Sequence, residues 1–158
     1  MIRKIRSITN KVLLMIHLII GIGGLFGGYA ALSDPKAPLG IPAEEALKNS
    51  PFSDFLIPGI ILFVFLGLGN VIFAILPRFL PMIRGYGSSV FGFGLMVWII
   101  VQCMMLRTVV SLHVIFFIFG MIQATAGIYI LYQENQFPMP FLTKLMRKLK
   151  NQEKKSQI

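Results

Sequence analysis

The sequence predicts an all-α, polytopic membrane protein: four transmembrane helices in one bundle, with amphipathic cytoplasmic ends. Two observations carry that prediction. Of 158 residues, 56% are hydrophobic and 13% charged, against about 25% charged in a soluble domain. The charges are also strongly basic, 15 Lys and Arg against 6 Asp and Glu, and they gather at the ends and connections. High hydropathy with segregated basic charge excludes a soluble enzyme, a nucleic-acid-binding domain and a disordered tail.

A bilayer core about 30 Å thick needs about 20 apolar residues of helix. Four segments qualify, over residues 12–32, 55–76, 88–106 and 109–132. The last two arise from one apolar stretch, Ser88 to Tyr132, which as a single helix would run to about 65 Å, twice the membrane. Arg107 is its only charge. The chain is therefore expected to fold back at Arg107-Thr108 into a tight helical hairpin. The whole chain reads as one domain.

Twelve of the basic residues fall in the N-terminal arm, the second connection and the tail 133–158, and only Lys36, Lys48 and Arg107 on the other side. The positive-inside rule then places both termini in the cytoplasm. The first span has a basic flank and small residues such as Gly28 and Ala30, as a signal peptide would. Its apolar run is longer than the usual signal core, which favours an uncleaved span. Residues 33–54 form the exported loop, punctuated by Pro35, Pro38, Pro42 and Pro51. Within it, Pro42 followed by Glu44 and Glu45 reads as the start of a short helix. Ser53 or Asp54 is the natural cap of the second span.

Both cytoplasmic ends carry an amphipathic pattern. Ile2, Ile5, Ile8 and Val12 share one helical face, and Phe141, Leu142, Leu145, Met146 and Leu149 form a stripe in the tail. Their basic partners Arg3, Lys4, Arg6, Lys144, Arg147, Lys148 and Lys150 suit anionic lipid headgroups. The simpler reading of these ends is topological anchoring, since orientation alone requires the charges. The lipid bilayer is thus the expected partner, with a membrane protein or a second copy of the chain also possible partners and nucleic acid none.

No span contains Asp or Glu, whereas proton relays and ion-coupled transporters usually use an ionisable group at membrane depth. His17, Asn70, Gln102, His113 and Gln123 are the polar candidates for a bundle interior or ligand site. Single interhelical hydrogen bonds are the plainer role for the three amides. Cys103 is alone, and with two His in the chain neither a cysteine nor a three-His metal site can form. No cofactor, metal or catalytic residue is assigned.

Glycine marks the helix contacts. Gly23/Gly27 and Gly24/Gly28 make two overlapping GxxxG motifs, and His17, Gly21, Gly24 and Gly28 share a face. Such faces allow close backbone approach, here within the monomer in preference to homodimerisation. In the fourth span His113, Gly120, Gln123, Ala124 and Gly127 share an arc. Asn70 goes with Gly67 and Ala74, and Gln102 with Trp98 and Leu95, so four faces could meet in the bundle.

The stretch Ser50-Pro51-Phe52-Ser53-Asp54-Phe55-Leu56-Ile57-Pro58-Gly59-Ile60-Ile61-Leu62-Phe63, with Trp98-Ile99-Ile100-Val101-Gln102 downstream, resembles an uncharacterised family of small bacterial four-span integral membrane proteins. The resemblance implies that architecture and a bacterial plasma membrane, and transfers no activity. The reading from the residues is a non-enzymatic bundle that binds a partner or a lipid-like ligand. A small oligomeric transporter or channel is the alternative, and an enzyme acting on a lipid or quinone through His17 or His113 the second.

Overall fold

The computed structural model describes residues 2–156; of the headgroup candidates, the side chains of Arg3, Lys4, Arg6, Lys148 and Lys150 lie outside what it describes. The chain is helical, with no strand among the described residues. Four helical stretches are long and apolar enough to cross a membrane, at Ser7–Ser33, Leu56–Arg78, Pro81–Leu106 and Ser111–Gln133, and they pack together. Large hydrophobic side chains such as Ile22, Phe26, Val97 and Leu112 point outward and exposed, as lipid-facing surfaces do. This is a multi-pass membrane protein.

Helix α1 runs from Ile2 to Ser33 without a break. The N-terminal arm is thus continuous with the first span. No Gly or Pro occurs before Gly21 to interrupt it. In the connection that follows, α2 (Ala43–Ala46) begins after Pro42 in extended conformation. Asp34 Oδ1 accepts the Ala37 N–H and Asp54 Oδ1 the Leu56 N–H, the short side-chain turns that these residue types favour. Ala43 and Leu47 pack with Met105, Phe52 and Phe55, so this connection closes one end of the bundle.

The second span is three pieces in one rod: α3 (Leu56–Ile60), a π-helical stretch Ile61–Gly69 and α4 (Asn70–Ile75). Its contacts with α1 explain the wide turn. A Cβ built at Gly21, Gly24 or Gly28 would lie 2.7 Å from Val71 Cγ2, 2.7 Å from the Gly67 nitrogen and 2.5 Å from the Phe63 nitrogen. A Cβ at Gly59 would lie 2.7 Å from that of Ala31. Along α1 the contacts step by three and four residues, the α-helical alternation. Along the second span they fall at 59, 63, 67 and 71, always four apart. In an α-helix a four-residue step overshoots by about 40° each time; a wider turn reduces that drift and keeps the line facing α1.

Helix α5 (Arg84–Leu106) ends at Arg107 in a left-handed conformation, and α6 (Ser111–Gln133) returns beside it. Their backbones meet at glycine: a Cβ at Gly92 would collide with the Ala124 backbone, and one at Gly127 would lie 2.5 Å from the Ser89 nitrogen. Two glycine-packed hairpins, α1 with the second span and α5 with α6, therefore build the bundle. Helix α7 (Met139–Ser156) follows as the amphipathic end, with Phe141, Leu145, Met146 and Leu149 exposed along one stripe.

Candidate functional site

The polar candidates separate into two groups at different depths. His17, Asn70 and Gln123 are brought together from three spans, and each is at most 2% exposed. The fourth member, Ser88 at 1% exposed, stands at the position where sequence pattern had begun the third span. Asn70 Nδ2 donates to the Leu66 carbonyl, one turn back, at 2.9 Å. That bond fixes which way the Asn70 amide faces, leaving Oδ1 as an acceptor for the other helices. His17 Nδ1 donates to it at 2.7 Å and Gln123 Nε2 at 3.0 Å.

The imidazole tautomer follows. With Nδ1 donating, His17 Nε2 is the acceptor, and the Ser88 hydroxyl donates to it at 3.2 Å. Gln123 Nε2 lies 2.9 Å from His17 Nδ1 and 3.2 Å from Nε2, against the ring and nearly equidistant from both nitrogens, so its directed bond is the one to Asn70. One backbone carbonyl thus orders four side chains on all four spans. Aromatic rings enclose the group: His17 lies 5.4 Å from Phe73 and 6.0 Å from Phe91, centroid to centroid. Glycine makes room for them, since a Cβ at Gly87 would collide with Phe73 and one at Gly69 would lie 2.7 Å from Phe91. Gln123 Oε1 is buried without a partner, as the orientation of its Nε2 demands.

Gln102 and His113 do not join this cluster. His113 sits in the first turn of α6, where its Nδ1 accepts the Val110 N–H at 3.3 Å. That is the reach-back half of a capping box, and it gives this buried histidine a local structural role. Both residues, with Trp98, line a cavity of about 230 Å³ walled by Ile20, Gly23, Gly27, Leu62, Leu66 and Phe116. A second cavity of about 180 Å³ reaches from there to the proline-rich connection, at Pro38, Leu39, Ile41 and Phe55. The two share Gly27, Leu62, Trp98 and Gln102.

Trp98 is the feature that sequence reasoning underrated. It is 7% exposed and its indole Nε1–H has no hydrogen-bond partner. A buried indole N–H normally finds one, because desolvating an unpaired donor is costly. The surrounding walls are apolar but for Gln102 and His113, and neither bonds it. The glycine motifs also divide here. Gly24 and Gly28 take the backbone of the second span, whereas Gly23 and Gly27 face side chains, Phe116 Cζ at 3.1 Å and Leu62 Cδ2 at 3.0 Å from a built Cβ. The first register packs the helices, and the second lines the hollow with Gly24 beside it.

Among the described residues no three His, Cys, Asp or Glu side chains are placed to share a metal ion. No family model, curated protein or solved structure matches the chain.

Proposed function

We propose that this protein is a non-enzymatic membrane component that holds a lipid-like ligand in the paired cavities beside Trp98. It would sit in a bacterial plasma membrane with both termini in the cytoplasm, the orientation that the distribution of Lys and Arg favours. One observation carries the reading: the unpartnered Trp98 N–H, held between two adjoining apolar cavities. Together these volumes fall in the range of small-molecule sites, about 300–1,000 Å³, and such sites pair apolar walls with a few placed polar groups. The matching occupant is an apolar molecule with one carbonyl acceptor, such as an acyl ester or a quinone. The indole N–H would bond the carbonyl, with the Gln102 amide on the same wall.

Catalysis gains little support from the same geometry. Neither histidine shares its surroundings with an acid: His17 is bonded within the amide and hydroxyl network, and His113 caps a helix. A paired acid and base is missing from both.

Trp98 is the only tryptophan, so its fluorescence reports on the cavity directly. Titration of the purified protein with an acyl ester brominated near its carbonyl is expected to quench that emission saturably. The same titration of Gly27→Leu, whose added side chain fills the shared wall, is expected to lose the saturable component. Quenching that only tracks bulk lipid, or that survives unchanged in Gly27→Leu, would contradict the proposal.

A further inference from the structure

A separate cavity of about 230 Å³ lies at the basic end of the bundle, between α1, the end of the second span and the start of α5. Lys11, Arg78 and Arg84 all line it, and among the described residues no Asp or Glu does. Positive-inside topology asks for cations at this end but not for three in one cavity. Cations so gathered repel one another, and an anion between them converts that repulsion into attraction.

The cavity is also supplied with neutral donors. Ser7 and Asn10 on its α1 wall supply them; His17, six residues or about 9 Å along α1 from Lys11, and Ser88 lie deeper and are already bonded to each other. Arg84 is held in place before any ligand arrives: its Nη1 donates to Asn10 Oδ1 at 3.2 Å and its Nη2 to the Pro77 carbonyl at 3.3 Å. Those bonds tie together the three elements that form the walls. A fixed guanidinium has further N–H groups to offer, and its planar fork matches phosphate oxygens.

We infer that this cavity binds a phosphate group, carried either by an anionic lipid headgroup or by a free phosphate ion. It lies at the opposite end of the bundle from the Trp98 cavities and stands independently of the ligand proposed there. The depth of the cationic wall, from the span end at Arg78 toward His17, suits a headgroup phosphate drawn slightly into the bundle.

The test uses the full chain in a neutral detergent, with thermal unfolding as the readout. One arm adds inorganic phosphate against chloride at matched ionic strength, because bulk screening alone also shifts charged proteins. The other adds phosphatidylglycerol against phosphatidylcholine. Stabilisation by phosphate ion assigns the free anion, and stabilisation by phosphatidylglycerol alone assigns the lipid. The double variant Lys11→Gln/Arg78→Gln is expected to lose about tenfold or more in affinity for whichever acts. Arg84→Gln is expected to lose at least as much, but it also removes the bonds to Asn10 and Pro77; the double variant leaves both in place. If neither anion stabilises the wild-type chain beyond its control, or if the folded double variant binds undiminished, the inference is overturned.

Discussion

The two halves of the bundle interior solve the same packing problem in opposite ways. Around His17 the helices meet through side chains that bond one another, ordered from the Leu66 carbonyl outward through Asn70, with Gln123 Oε1 left over. Around Trp98 they meet through apolar walls that leave a hollow and a donor without a partner. The difference teaches where to look for function in a chain with no acidic residue in its spans. Polar residues that bond one another across helices hold the fold, and a lone donor in an apolar cavity marks a place for a ligand.

The glycines offer the sharpest way to break the comparison. Gly28→Leu would drive a side chain into the Phe63 backbone, which cannot yield; overpacking of this kind costs about 1–3 kcal/mol or more. The expected outcome is loss of most folded protein in detergent size-exclusion. Gly27→Leu, one residue away, meets only the end of Leu62 and is expected to fold. A reversed order of the two variants would refute the assignment of the two glycine registers.

Within the inner cluster, Asn70→Leu removes the acceptor of two buried donors and is expected to destabilise by about 1–3 kcal/mol. Gln123→Leu gives up its bonds but also removes the unpartnered Oε1, so its cost should stay under about 1 kcal/mol, near the average for interhelical hydrogen bonds in membranes. Chemical denaturation in mixed micelles compares them. Equal losses would mean that Asn70 does not organise the network. The smallest effect belongs to Trp98→Phe. It deletes the N–H while keeping an aromatic ring, and is expected to leave the fold intact and weaken binding of a carbonyl-bearing ligand about fivefold, as one hydrogen bond of about 1 kcal/mol implies.

Much of this architecture was legible in the sequence because bilayer thickness sets span length directly. Four apolar runs and one internal Arg were enough for four helices and a hairpin. The shared faces of His17, Asn70 and Gln123 were legible too, since each carries small residues at helical spacing. Ser88 was not, because a serine at the edge of an apolar run looks like a boundary. The π-helical stretch was invisible: Ile-Leu-Phe-Val-Phe-Leu is uniformly apolar and carries no mark of turn width. Gln102 and His113 lie at another depth, which for His113 was legible as well, since it stands near the opposite end of the bundle from His17 by its place in the fourth span. The two GxxxG motifs have identical spacing, so only the packed structure tells which one meets backbone and which one lines a cavity.

The most direct test of the central claim is native mass spectrometry of the full chain purified in mild detergent, beside Gly27→Leu prepared in the same way. One apolar, carbonyl-bearing molecule is expected to be retained per wild-type chain and none on the variant. A wild-type chain that flies bare, or a variant that retains the same molecule equally well, would contradict the claim.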